Sequence, residues 1–190
     1  MNKATLGLLL IPLALGANAE VFTVDTDHAV IGFSVKHLMV SNTKGTFNTF
    51  EGTIDYDLAT KSLVSAQGSI AAASIDTNNE KRDAHLKNDD FFNVVKHPRM
   101  EFKSTSVKKT GDNTFEVSGT LTVLGIERKV VLPATVTGPV DDPWGNIRIG
   151  IECRTVLNRR DLGIVHSPSA VIGDEVAIHI DAEAILKKEP

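Results

Sequence analysis

The chain is poor in cysteine and in aromatic residues, and it lacks any long apolar run. A single Cys in 190 residues excludes an internal disulfide framework, and without Cys/Cys or Cys/His spacing there is no zinc motif. Aromatics are only 5% of the chain, as eight Phe, one Tyr and one Trp, which argues against a platform for stacking sugars or bases. The formal charge of −4 lacks the basic excess that nucleic-acid binding requires. The longest apolar stretch, Leu6 to Leu15, is half of the about 20 residues that span a bilayer as a helix. Gly-x-Ser-x-Gly is absent, so there is no nucleophile elbow. Gly-x-Gly-x-x-Gly is absent too, so no dinucleotide loop is indicated. Apolar residues are nonetheless plentiful, at 42%, and their spread along the chain excludes disorder.

The first residues read as an address. Lys3 supplies a positive start, Leu6 to Leu15 an apolar core, and Ala17-Asn18-Ala19 a small-x-small cleavage pattern, the three parts of a secretory signal peptide. The expected division is a leader over 1–19, cleaved after Ala19, and one domain over 20–190. No Cys stands directly after the apolar stretch, so no lipid anchor through an N-terminal Cys and no stable membrane anchor are expected. The expected compartment is a periplasm. Cys153 would then be an unpaired thiol under oxidising conditions. Its strand-like setting, Ile149 to Cys153, predicts a buried and inert group.

Beyond the leader the hydrophobic period is two. Val176, Ile178, Ile180, Ala182 and Ala184 alternate with their neighbours, as do Ile31, Phe33 and Val35, the pattern of half-buried strands. Similar segments run over 50–57, 66–75, 100–108, 115–123, 128–137 and 147–157, with turn chemistry at Gly111-Asp112-Asn113, Leu124-Gly125 and Asp141-Asp142-Pro143. The spacing predicts an all-β fold: one antiparallel system of about eight strands, closed as a barrel or split as a sandwich. Small residues on the expected inner faces, Ala71, Ala73, Ala134, Ala182 and Ala184, leave volume that larger side chains would fill.

One segment departs from this alternation. Thr77-Asn78-Asn79-Glu80 has capping-box spacing, and a short helix is expected near 79–90. Arg82, His85, Leu86 and Asp89 then share a face. Phe91-Phe92 follow directly. Two readings stand side by side: a lid over an apolar opening, or a surface helix that its Phe residues anchor to the sheet. Metal and catalytic readings fare worse. His179 with Asp181 and Asp83 with His85 are spaced two apart, and His28 and His37 are further candidates. Nothing in the spacing brings three or four of them together. The pairs Asp89-Asp90 and Asp141-Asp142 are adjacent in turns and do not present convergent acids. No catalytic residue, metal or cofactor is expected.

At the helical segment the sequence resembles a known family. Thr77-Asn78, Arg82-Asp83, His85-Leu86, Asp90-Phe91-Phe92-Asn93 and Lys96-His97-Pro98 are similar to the signature of the YceI-like lipid-binding proteins. Asp27 to Val35 with His37-Leu38, Gly45-Thr46-Phe47, Gly119 to Val123 with Gly125, and Asp142-Pro143-Trp144-Gly145 match in the same order. The resemblance implies a lipocalin-like eight-stranded barrel that carries a long apolar lipid, such as a polyisoprenoid, in its lumen. The Gly-x-Trp of true lipocalins is missing; Trp144 sits in a late turn, and is expected to brace that turn or one barrel end. On this reading Phe33, Val35, Leu38, Phe47, Phe91, Phe92 and Phe102 line the ligand, and His37, Arg82 and His85 meet a head group at the mouth. The competing reading of Arg82, Asp83 and His85 is a network that merely fixes the helix. Two other functions stay open: a lipid hydrolase or isomerase using His85 or His37 as base, and a stress-protective interaction module with a packed barrel. The exposed barrel surface leaves room for a homodimer.

Overall fold

The computed structural model describes residues 19–187; the expected leader, apart from Ala19, lies outside them. The described chain forms β1 (Glu20–His37), β2 (Ser41–Phe47), β3 (Phe50–Asp57), β4 (Ser62–Ala71), β5 (Ile75–Asp76), α1 (Glu80–Lys87), β6 (Arg99–Lys109), β7 (Thr114–Val123), β8 (Ile126–Asp141), β9 (Ile147–Asn158) and β10 (Ile172–Leu186). All strand pairs are antiparallel, in the order β10-β9-β8-β7-β6-β4-β3-β1, and β10 pairs back onto β1. The sheet is thus a closed eight-stranded barrel. The ten segments reduce to eight strands because β2 and β3 succeed one another along β1, and a 3₁₀ turn (Ala72–Ser74) separates β4 from β5. Closure leaves the central strands without free edges.

That 3₁₀ turn also corrects one inward assignment. It interrupts the alternation, so Ala72 is buried and Ala73 is exposed, whereas strict period two would turn Ala73 inward. A second irregularity lies in β1. Asp25 pairs with Glu183 and Ala29 with Ala182, so Thr26-Asp27-His28 bulge out of the ladder. The bulge shifts the phase: Phe22 and Val24 face inward before it, and Ile31 and Phe33 after it.

The interior consists of two apolar clusters. One end is closed by Phe22, Ile54, Tyr56, Leu63, Phe115, Val136 and Ile149, with Phe22 and Tyr56 ring centroids 6.1 Å apart, edge to face. The other end holds Phe47, Ile75, Phe91, Met100, Val123, Leu162 and Ile164. Phe91 comes from the segment after α1, and Leu162 and Ile164 from the β9–β10 loop. Two connections therefore cap this end of the barrel.

Candidate ligand-binding lumen

Between the two clusters the barrel is hollow. A cavity of about 190 Å³ is lined by aliphatic side chains from nearly every strand: Ile31 of β1, Ile54 of β3, Ala66 and Ile70 of β4, Leu121 of β7, Leu132 and Ala134 of β8, Ile151 of β9, and Ile180 and Ala182 of β10. Packed protein interiors hold few voids larger than one water. A space of this size between two well-packed cores means the side chains leave the middle of the barrel unfilled. Of the five Ala residues expected to leave that room, two adjoin it, and Ala184 packs into the core cluster instead. Ala134 and Ala182 are buried and face it. At Gly119 an added Cβ would lie 2.5 Å from the Phe102 ring, so the missing side chain lets that ring lie flat across β7.

Phe102 is the one expected lining residue on the cavity wall. Phe33, Phe47, Phe91 and Phe92 instead form the cap cluster above it. Phe33 and Phe47 have ring centroids 5.7 Å apart, and Phe92 meets Phe47 edge to face at 5.7 Å. Gly45 permits this, since a Cβ there would fall 2.5 Å from the Phe33 ring. Val35 is half-buried, paired with Thr43 and Val176. Leu38 is 53% exposed in the β1–β2 turn, so it does not line the cavity. His37 is exposed at the end of β1, paired with Ser41 and Ile172.

The cap helix is fixed by side chains, though not in the way its capping-box spacing predicts. The N-cap is Asn79, whose Oδ1 accepts the Arg82 backbone N–H at 3.0 Å. Thr77 lies two residues earlier and is buried. Its Oγ1 accepts from Arg82 Nε at 2.7 Å, its carbonyl accepts from Arg82 Nη2 at 2.8 Å, and its backbone N–H donates to Asp83 Oδ1 at 2.9 Å. Arg82 is thereby committed to the chain that precedes its own helix. His85 turns to Asp90 at 3.0 Å. After the helix, Phe92 N–H donates to Leu86 O at 3.0 Å, folding the Phe pair back beneath α1. The helix and its Phe residues are thus anchored to this end of the barrel, as the surface-helix reading expects.

The β9–β10 loop depends on a residue that periodicity does not reveal. Arg159 is 3% exposed, and it donates to the carbonyls of Gly173, Ile164, His166, Ser167 and Ile172 at 2.8–3.1 Å. Asp174 lies 3.0 Å away and supplies the countercharge. Because most of its partners are backbone atoms, no pattern of side chains announces it. At the opposite end Arg148 joins Asp25 at 2.7 Å, Asp142 at 2.9 Å and Glu183 at 2.8 Å. Burial pushes Asp142 upward, but hydrogen bonds from Asn146, Arg148 and Trp144 outweigh it and bring the carboxyl to about 2. Trp144 itself is exposed, with the Arg148 guanidinium 5.5 Å from its ring, and the β8–β9 turn is held by Asp142, which accepts from the backbone N–H groups of Trp144 and Asn146. Cys153 lines the cavity, and burial pushes its thiol up to about 11, which suits the inert role expected of it.

Among the described residues no helix is long and apolar enough to cross a membrane. The YceI-like domain model matches residues 22–184. Protein YceI of Escherichia coli O17:K52:H18 is 35% identical over 193 aligned positions, covering 99% of this chain and all of that one. The crystal structure of Campylobacter jejuni YceI superimposes with a TM-score of 0.75 at 28% identity, covering 99% of this chain and all of that one. A polyisoprenoid-binding domain from Saccharophagus degradans shares the fold at 15% identity, with a TM-score of 0.69 over 87% of this chain and 98% of that one. By the match of sequence and barrel together, this chain belongs to the YceI-like family.

Proposed function

We propose that the protein binds one long-chain apolar lipid, of polyisoprenoid type, in the lumen of its barrel, and serves as an exported, periplasmic carrier without catalysing a reaction. The observation that carries the reading is the apolar cavity between the two cores, walled by Ile, Leu, Ala and Phe102. Each buried CH₂ contributes roughly 0.8 kcal/mol, so ten chain carbons gain about 8 kcal/mol without a specific polar contact. A barrel of eight strands suits one slender ligand. The fold shared with a polyisoprenoid-binding domain of another organism supports the same ligand class.

The chemistry around the cavity also favours binding over turnover. Arg82 is occupied by Thr77, and His85 faces Asp90. Of the ionisable groups bordering the cavity, Glu51, Glu101 and Cys153, the thiol is held neutral by burial where a nucleophile would need to be a thiolate. The test is a titration of solvent-extracted, refolded protein with a polyprenol. Saturable binding at one molecule per chain is expected, and a protein that takes up none in this assay while keeping its fold refutes the reading.

A further inference from the structure

The two connections that cap the barrel meet outside the apolar cluster, through two imidazoles that share one carboxylate. His85 projects from α1 and Asp90 from the turn that follows it, while His166 belongs to the β9–β10 loop. His85 Nε2 lies 3.0 Å from Asp90 Oδ2, and His166 Nδ1 lies 3.3 Å from Asp90 Oδ1. One donor atom from each residue falls within 4.8 Å of the other two. We propose that His85, Asp90 and His166 bind a borderline transition-metal dication of the zinc class, which cross-links the two halves of the cap.

Donor type, preorganisation and access all favour this assignment. Two imidazoles and one carboxylate form a recurrent zinc donor set that leaves a fourth position for water. Donors around a tetrahedral zinc stand about 3.3 Å apart at ordinary bond lengths, so small side-chain rotations bring the set onto one ion. Each donor is already held in place. Asp90 donates its backbone N–H to Asn88 Oδ1 at 3.0 Å, the helix bearing His85 is tied through Arg82 to buried Thr77, and the carbonyl of His166 accepts from Arg159 at 2.8 Å. The Phe91 ring floors the site, 5.0 Å from each imidazole, and an apolar surface there limits solvent access from beneath. The donors themselves are 37–49% exposed, which gives an ion a path of entry. A second grouping, Asp25, His28 and Glu183, lacks this character. Arg148 Nη1 already sits 2.7 and 2.8 Å from its two carboxylates and would repel a dication.

The test uses untagged full-length protein freed of metal by chelation. Titration with Co²⁺, followed by its visible d–d absorption and by displacement with Zn²⁺, should reach one ion per chain. Mg²⁺ and Ca²⁺, which prefer all-oxygen sites, should not compete. His166→Gln and His85→Gln should each weaken uptake by at least about 100-fold, beyond the roughly 10–100-fold typical of altered supporting residues. His28→Gln should leave uptake unchanged. Zn²⁺ should raise the melting temperature of the native chain and leave that of His166→Gln where it was. Three results would overturn the proposal: no saturable uptake at millimolar ion, uptake indifferent to both cap histidines in folded variants, or uptake lost in His28→Gln instead.

Discussion

Filling the cavity with the protein's own atoms should expel the ligand without harming the fold. Ala182 is the position of choice: it is 7% exposed, lies in the middle of β10 and faces the cavity. Ala182→Leu adds three carbon atoms into a space of about 190 Å³. If these displace about three CH₂ equivalents of lipid, the loss is roughly 2.4 kcal/mol, or about 60-fold in Kd. The ligand-free protein behaves differently, because the new methyl groups enter a void and displace no neighbour. Its melting temperature should hold or rise. Ala177→Leu is the control, since Ala177 is exposed on the same strand and the same atoms there point to solvent. The assay is polyprenol titration beside thermal melting for both variants. An Ala182→Leu protein that melts like the native chain and binds as tightly would refute the placement of the ligand between the two cores.

Three further outcomes follow from the cap, the charges and the thiol. Thr77→Val removes the buried hydroxyl that accepts from Arg82 Nε and donates to Asp83 Oδ1 and should cost about 1–3 kcal/mol in urea denaturation, with proteolysis first appearing near α1. Hydrogen bonds or ion pairs lower the carboxyls of Asp25, Asp57, Asp142 and Asp174 below their ordinary value of 3.8. The unfolded chain then takes up protons before the folded one does. The melting temperature should therefore hold above pH 5 and fall from about pH 4 towards pH 2; a flat profile across that range contradicts these contacts. The Cys153 thiol, pushed up to about 11 by burial, should resist an aqueous disulfide reagent at pH 8 and react fully once denaturant is added. Rapid labelling of the native protein would place Cys153 outside the lumen wall.

Much of the barrel was legible from alternation alone. The segment over 50–57 matches β3, and those over 115–123 and 147–157 match β7 and β9 to within a residue, because each is flanked by turn residues and has one apolar face. Less legible was β2, Ser41–Phe47, whose polar run carries no alternation and is held by pairing with β1. The bulge in β1 hid Phe22 and Val24 by reversing which parity faces inward. The position of the helix was clear from its polar composition and cap spacing. Its true cap, Asn79, was masked because Thr77 has the better-known signature yet serves Arg82 and Asp83. The Phe residues were expected to line the ligand as a group, but parity cannot tell a cavity wall from a cap. Hence Phe102 lines the space while Phe33, Phe47, Phe91 and Phe92 close it. Arg159 and Arg148 escaped notice since a buried cation is defined by partners distant in sequence or by carbonyls, neither of which a local pattern records.

The most direct measurement is native mass spectrometry of the protein as recovered from cells and purified without detergent. A polypeptide that begins at Glu20 should carry one additional long-chain apolar molecule per barrel, and organic solvent should release it. A bare polypeptide mass that stays unaltered after polyprenol is added would contradict the lumen as a lipid-binding site.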